Sequence, residues 1–310
     1  MLGAAPRRRQ GVALGAGFKT MSFDPVFTFG TIAAAALIGT GITHARDSSS
    51  SEFPQAVAVS ELVVLGPGSF DHPQPGEFLK DNHPVAAPIV QETIDAPLEI
   101  MKYQVSVSEY GRCVADGACK PADSRKSGNI PVTGVSHIDA ETYATWLSAR
   151  TNETWRLPTD VEWAYAAGER FRSDIEGDES EPNNPARRWL AQYRAESALG
   201  RKPDPEPRVQ GAFGINSRGL ADVAGNVWEW TSTCYSHATI GSGGKRTASS
   251  IDNCGVHAVE GFHRTYMSNF IRDGKSGGCA VGTPPDNLGF RLVRDRPSLV
   301  QAALRRLGLS

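Results

Sequence analysis

The sequence predicts a loop-rich domain that contains both helices and strands. Glycine (32 residues) and proline (20 residues) together exceed a sixth of the 310-residue chain, which argues against a helical bundle. Two capping boxes predict helices in the middle of the chain, and an alternating apolar stretch predicts a strand nearer its start. With 40% hydrophobic and 21% charged residues, the chain can bury the core of one large domain or two small ones.

The charge pattern argues against a nucleic-acid partner and for export. The net charge is −2 at pH 7, and the basic run Arg7–Arg9 is local. With Lys19 this run forms a positive region before the uncharged, apolar stretch Val26–Ile42, and the small residue Ala45 follows as a cleavage point. This order predicts an export signal within residues 1–50, and therefore a periplasmic or otherwise exported protein.

Two other interpretations of the first 50 residues stay open. An uncleaved apolar stretch would anchor the protein and would be its one contact with a membrane, although the stretch is short for a spanning helix. Alternatively, Met21 is the true start, which would remove the positive region and weaken the prediction of export.

The five cysteines suit an oxidising compartment. Cys113 and Cys119 flank a glycine-containing turn at a spacing that a short disulfide loop can close. The sequence does not determine the pairing among Cys234, Cys254 and Cys279, and we favour Cys234 with Cys254. Because five is odd, one thiol is free or pairs with another molecule.

Alternating and capped stretches predict the elements in chain order. Ala56–Leu65 alternates as a strand does, and Tyr103–Val107 is strand-like before a helix that begins at Ser106 or Ser108.

Two capping boxes mark the clearest helices. Ser136 caps the first, with Asp139 as its partner three residues on. Thr159 caps the second, with Glu162 in the same role, and Gly168 ends it.

An acidic, irregular stretch, Glu169–Pro207, follows the second capped helix and contains one predicted helix at Ala186–Ser197. A tolerated surface loop is the simpler interpretation of this insertion, and a lid or partner-binding region is the alternative.

Four blocks in order carry a specific resemblance. They are Pro131–Leu147, Trp155–Gly168, Gly219–Thr231 and Asn287–Arg294. Together they resemble the formylglycine-generating enzyme family, also called the sulfatase-modifying factor family, over nearly all of the mature chain. The resemblance implies a single α+β domain with the formylglycine-generating-enzyme fold, which is C-type-lectin-like, low in regular secondary structure and often stabilised by calcium. We assign residues 51–296 to this domain and residues 297–310 to a C-terminal tail.

A calcium site is predicted within the third block. Asp222 and Glu229 flank a Gly-Asn turn whose carbonyls can point inward, and hard cations prefer such oxygen ligands. The resemblance implies calcium ligands at Asp222, Gly225, Val227 and Glu229. The alternative is that Glu229 is a buried acid satisfied by an arginine such as Arg291 or by backbone amides.

The resemblance fails at the residues that carry the family's chemistry. Formylglycine-generating members use two cysteines with four residues between them to bind copper as thiolates, and copper(I) prefers such soft ligands. An alignment on Glu260-Gly261 places Thr265 and Phe270 at these positions, and no two cysteines in the chain have that spacing.

Other ligands near the C-terminus offer a replacement. Cys254, His257, His263 and Cys279 would suit a mixed thiolate-imidazole site for iron, copper or zinc, although structural histidines and a disulfide are the more common identities of such residues.

Four residues are therefore candidates for catalysis: Cys279, His263, Arg264 and Tyr266. Arg264 and Tyr266 would line a groove for a polypeptide, or pack in the interior.

Within the family, the chain resembles most the accessory proteins encoded with bacterial nitrite reductases. The segments His263–Asp273, Ser276–Val293 and Arg187–Glu196 carry this likeness. It implies a periplasmic protein that serves maturation or maintenance of a copper enzyme in denitrification. Two hypotheses follow. The first is a calcium-stabilised accessory protein that binds an exported protein or peptide without forming formylglycine, and the second is an oxidoreductase that uses a different metal site.

Overall fold

In the part of the chain that the computed structural model describes, three sheets and three helices have defined bounds. The structure describes residues 59–124, 126–172, 190, 194, 206–242, 245–247, 249–274 and 287–296. All of them belong to one unit, Pro54–Ser310. The predicted export segment, most of the helix predicted at Ala186–Ser197 and Cys279 lie outside the described residues.

The strands are short apart from one central pair. They are β1 (Leu62–Leu65), β2 (Gly68–Pro73), β3 (Glu77–Lys80), β4 (His83–Val85), β5 (Ile89–Ile94), β6 (Leu98–Met101), β7 (Thr154–Arg156), β8 (Trp228–Thr239), β9 (Ile251–Glu260), β10 (Thr265–Ser268), β11 (Leu288–Gly289) and β12 (Val293–Asp295). The helices are α1 (Val107–Ala115), α2 (His137–Thr151) and α3 (Asp160–Ala167), and a 3-10 turn follows at Gly168–Arg170.

The strands assemble into a four-stranded sheet in the order β1-β6-β12-β7, a sheet in the order β10-β9-β8-β3-β4, and the pair β2-β5. Most neighbours are antiparallel, but β3 and β11 run parallel to β8. Helices and largely antiparallel sheets thus occur in one domain with long irregular connections, which confirms the predicted α+β fold class.

Helix starts follow the predicted capping chemistry. Ser136 accepts the amide of Asp139, whose carboxylate in turn accepts the amide of Ser136. Thr159 and Glu162 make the same reciprocal pair at α3. Each box satisfies amide groups that a helix start leaves unpaired, so these two helices begin where the sequence predicts.

One predicted strand is wrong. Tyr103–Val107 is not a strand, because β6 ends at Met101 and Ser106 already caps α1. The Val105 amide still donates to Phe290 and its carbonyl accepts from Val132, so this segment is pinned by single hydrogen bonds to two loops. The apolar alternation did not report one-sided burial here, because Gln104 and Ser106 are buried as well as Val105.

Two main clusters of buried side chains fill the domain. The larger contains Tyr110, Tyr143, Trp230 and Phe290, and the rings of Tyr110 and Tyr143 stack with centroids 5.7 Å apart. The smaller surrounds Trp163 under the four-stranded sheet. Within the described ranges, no helix is long and apolar enough to cross a membrane.

Both predicted disulfides are confirmed. Cys113 pairs with Cys119 across the end of α1, and Cys234 pairs with Cys254 between β8 and β9. Four of the five cysteines are therefore oxidised, and the fifth is Cys279.

We predict that Ser136→Ala lowers the free energy of unfolding by about 1 kcal/mol, because it removes a buried helix cap. Urea denaturation measures this change. Thr145→Ala, at an exposed position inside the same helix, is the matched control and should change stability by less than about 0.5 kcal/mol. Equal losses in the two variants would contradict the role of the cap.

Candidate functional site

Arg264 is an interior residue that ties three segments together. Its guanidinium donates to Glu260 Oε1 at 2.7 Å, to the Pro73 carbonyl at 2.9 Å and to Asp160 Oδ2 at 3.1 Å. The side chain is fully buried, so it packs rather than lining an open groove. His72 also joins this network, with its Nε2 2.8 Å from Asp160 Oδ2.

The other described candidates contact different parts of the domain. The hydroxyl of Tyr266 accepts the amide of Gly76, and its ring meets that of Tyr235 edge to face. The ring of His263 lies against Trp228, and its Nδ1 is 2.9 Å from the Arg264 carbonyl. Tyr266 and His263 thus pack against different aromatic side chains, Tyr235 and Trp228.

The described residues contain no cluster of three or more histidine, cysteine, aspartate or glutamate side chains that would hold a metal. Cys254 is bonded to Cys234, and the ring of His257 stacks on His137 with centroids 3.6 Å apart. Two members of the predicted thiolate-imidazole set are therefore engaged otherwise, and Cys279 lies outside the part of the chain that the structure describes.

Glu229 is fully buried at the centre of an ion-pair network. Arg291 donates to both carboxylate oxygens, at 2.5 Å and 2.8 Å. Each oxygen accepts one further hydrogen bond: Oε2 from Trp163 Nε1 at 3.0 Å, and Oε1 from Gln104 Nε2 at 2.8 Å. Nitrogen donors thus occupy all four acceptor positions of the carboxylate.

Asp222 caps a loop. Its carboxylate accepts the amides of Gly211 at 2.5 Å and Phe213 at 2.8 Å. Two of the nearby carbonyls are also engaged, since Asp222 O accepts from Gln104 and Gly225 O accepts from Val227 N at 2.7 Å.

These four positions, as arranged, do not fit a calcium ion. A cation bound to Glu229 would lie beside the guanidinium of Arg291 and would need acceptor positions that are already filled. The arrangement is the alternative that the sequence left open, a buried acid paired with Arg291. Calcium at Asp222, Gly225, Val227 and Glu229 stays a prediction of the resemblance, and we derive no function from it.

A cleft of about 420 Å³ lies beside Asn287–Arg294, the last of the four blocks. It is lined by Asp123, Thr133, Gly134, Arg272, Asp273, Gly274, Asn287 and Leu288. Arg272 belongs to this lining, with one hydrogen bond to Asp139 at 2.8 Å and one to the Pro121 carbonyl at 3.1 Å. The Asp139 carboxylate raises the pKa of Arg272, so this guanidinium stays charged beside the carboxylates of Asp123 and Asp139.

A larger cleft, of about 590 Å³, lies at the edge of the four-stranded sheet. Its arginines are paired with its acids: Arg156 with Glu162, and Arg294 and Arg296 with Glu99. Arg272 of the smaller cleft is likewise paired, with Asp139 and Asp123. We take the smaller cleft as the candidate for binding because residues of the first and last of the four blocks line it together.

Sequence reasoning missed three buried polar residues. Gln104 bridges the Asp222 carbonyl and Glu229, His72 joins the Arg264 network, and His137 stacks on His257. Only His137 had a usable signal, since it directly follows the cap of a predicted helix.

The chain combines an α+β domain with the four sequence blocks, two disulfides and a buried Glu-Arg pair. Comparison with known families identifies the family to which such a chain belongs. The model of the "Sulfatase-modifying factor enzyme 1-like domain" matches residues 48–296, so the chain belongs to this family.

Individual relatives are more distant. The Formylglycine-generating enzyme of Mycobacterium tuberculosis is 36% identical over 136 residues, which cover 40% of this chain and 42% of that protein. The Inactive C-alpha-formylglycine-generating enzyme 2 of Bos taurus is 31% identical over 178 residues, covering 54% and 51%. Hercynine oxygenase of Mycolicibacterium smegmatis is 34% identical over 112 residues, covering 34% and 22%. The matches thus span about half, or less, of these curated relatives.

The structure of PvdO from Pseudomonas aeruginosa covers 76% of this chain and 95% of its own at 23% identity, with a TM-score of 0.48. A likeness at this level carries no functional argument.

We predict that calcium leaves the thermal stability of the protein unchanged. Melting temperatures in millimolar calcium and in excess chelator should agree, because Glu229 has no free acceptor position. An ion present at about 100 times its Kd would add about 2.7 kcal/mol, which raises the melting temperature by several degrees. A rise of that size, abolished by Asp222→Ala, would overturn our interpretation of Glu229.

We also predict that acid weakens the fold through His137. Burial, and then the neighbouring His257, lower the pKa of His137 to about 4 from an ordinary 6.5. The folded state therefore favours the neutral ring, so its contribution is complete above pH 6.5 and is lost as pH falls toward 4. Between pH 7 and pH 5 the loss should be about 2 kcal/mol, measured by urea denaturation.

His137→Gln should flatten most of this dependence, and the remainder is due to His257, whose pKa burial also lowers. His237→Gln, which removes a partly exposed imidazole, should retain the full dependence. The paired carboxylates Asp139, Asp160 and Glu162 have pKa values that are lowered in the folded state, so their contribution is lost below this pH window. An unchanged slope in His137→Gln would show that another group controls the acid sensitivity.

Proposed function

We propose that this protein is a noncatalytic member of its family, an accessory factor that binds an exported polypeptide and does not make formylglycine. The observation that carries the proposal is the state of the cysteines. Copper chemistry in formylglycine-generating members of the family needs two thiolates, whereas four of the five cysteines here are paired in disulfides. Cys279 alone cannot supply such a pair.

A relative whose name describes it as inactive supports this choice. The Inactive C-alpha-formylglycine-generating enzyme 2 of Bos taurus matches a longer stretch of this chain than the Formylglycine-generating enzyme of Mycobacterium tuberculosis does. The family scaffold therefore exists apart from that activity.

The smaller cleft, beside the last of the four blocks, is the proposed contact for the partner. Its polar lining includes the cation of Arg272, the amide of Asn287 and the largely exposed carboxylate of Asp123. Such groups can hydrogen-bond an extended backbone and the charged side chains of a polypeptide.

The proposed place of action is the periplasm or another exported location. Two disulfides and the N-terminal order of positive, apolar and small residues support this location. The likeness of the C-terminal segments to nitrite-reductase accessory proteins supports a copper enzyme of denitrification as the partner. An uncleaved leader would add a membrane anchor.

A second candidate function is a metal-dependent oxidoreductase, because hercynine oxygenase is among the relatives. This alternative requires iron or copper bound with ligands that include Cys279 or His263.

We predict that the purified protein lacks stoichiometric copper and iron, has one titratable thiol, and forms no aldehyde on a sulfatase-type cysteine peptide supplied with copper. The formylglycine-generating enzyme of Mycobacterium tuberculosis serves as the positive control. Aldehyde formation, or a redox metal that is lost in Cys279→Ser, would refute the noncatalytic assignment.

The same proposal is tested in the source organism. Deletion of the gene should lower the activity of its copper nitrite reductase several-fold, and the wild-type chain should restore it. Asp123→Lys, which reverses an exposed charge in the cleft, should not restore it, whereas Asp71→Lys, exposed but outside the cleft lining, should. Unchanged activity on deletion would exclude the nitrite-reductase partner.

A further inference from the structure

The two disulfides differ in their access to solvent. Cys113 is 0% exposed and Cys119 is 7% exposed, so the first bridge belongs to the core. Cys254 is an exposed residue and Cys234 a half-buried one, so the second bridge lies at the surface. Thiol-disulfide exchange requires a thiolate to reach a disulfide sulfur, and of the two bridges only the second lies at the surface.

The exposed bridge lies at an irregularity between β8 and β9. Cys234 pairs with His257 in the strand register, whereas the next residue, Tyr235, pairs with Asn253. Cys254 and the two residues after it therefore have no opposite residue on β8, and they form a bulge. The bulge interrupts the pairing of β8 and β9 at Cys254, which is an exposed residue.

Two exposed apolar side chains belong to segments that backbone hydrogen bonds connect to this bulge, one segment directly and the other through Asn269. The Asn269 amide donates to the Gly255 carbonyl at 3.0 Å, and the Ile138 amide donates to the Asn269 carbonyl at 3.4 Å. Phe270 is 69% exposed and Ile138 is 49% exposed. A disulfide at the surface, with two apolar side chains on adjoining segments, is suited to an apolar stretch of polypeptide.

We infer that Cys254 is a site of thiol-disulfide exchange with a cysteine in an extended, apolar segment of another protein. The partner thiolate attacks Cys254 Sγ, the Cys234–Cys254 bond breaks, and a mixed disulfide forms while Cys234 leaves as a thiolate that takes up a proton. A second partner thiol then attacks the mixed disulfide. The partner leaves oxidised, and Cys254 and Cys234 are both reduced. The inference goes beyond the proposed function and does not depend on it, because exchange needs neither the cleft nor a particular enzyme partner.

The test uses the full chain with Cys279→Ala, which removes the remaining thiol. Two synthetic peptides, each with one reduced cysteine, differ only in apolar or polar flanking residues, and reduced glutathione is the third probe. Acid quenching, alkylation and peptide mapping by mass spectrometry locate the adduct. We expect the adduct on Cys254, an intact Cys113–Cys119 bridge, and a rate about tenfold higher for the apolar peptide than for the polar one.

Trapping variants sharpen the outcome. Cys234→Ser should accumulate the adduct from the oxidised peptide, and Cys254→Ser is its matched control and should not. Phe270→Ser should remove the preference for the apolar peptide, whereas Ile89→Ser, at an exposed isoleucine of β5, should retain it.

Three results would overturn the inference. The first is an adduct on Cys234. The second is parallel opening of both bridges, which would indicate that the reaction occurs through unfolding. The third is equal rates for the two peptides, which would show that the flanking apolar residues are not recognised. The mapping on the otherwise native chain decides these points even if a trapping variant does not fold. Failure here leaves the predictions on aldehyde formation and nitrite reductase untouched.

Discussion

The buried pair of Glu229 and Arg291 joins more of the structure than any other interaction described above. Glu229 belongs to β8, and Arg291 lies between β11 and β12, so the pair links the two larger sheets. Its other hydrogen bonds reach Trp163 of α3 and the carbonyls of Met101 and Lys102 at the end of β6. Removing either charge would leave the other one buried without a partner, a loss of about 3–5 kcal/mol in comparable cases. Three of the four blocks that carry the family resemblance meet at this pair.

A second buried network lies beside the first in the same sheet, since Glu260 is opposite Glu229 in the register of β8 and β9. Arg264 connects Glu260 at the end of β9 with Asp160 at the start of α3 and with β2. Charged side chains that a sequence offers as candidates for catalysis are here used to hold irregular segments in place. This use is consistent with a domain of short strands, where backbone pairing alone fixes few of the connections.

The chemistry of the protein is set by its cysteines. The Cys113–Cys119 bridge is buried in the core beside α1, and the Cys234–Cys254 bridge joins β8 and β9 at the surface. The chain has no two cysteines at the spacing that formylglycine-generating members use, and the thiol-disulfide exchange that we infer would use the exposed bridge instead. Family membership alone therefore does not assign an activity, because function depends on the side chains at a site and not on the fold.

The sequence by itself determined the family, the fold class, two helix starts and the Cys113–Cys119 disulfide, whereas it only favoured Cys234–Cys254. These features depend on local chemistry, such as a cap and its partner three residues apart, or on several blocks read together. Only the tertiary structure decided the roles of Glu229, Arg264 and Asp160. A carboxylate between two tryptophans has the same local pattern whether it binds a cation or an arginine, and Arg291, which pairs with it, is 62 residues away in the chain. Pairings over such separations are set by how the sheets pack, and one sequence read locally does not contain that information.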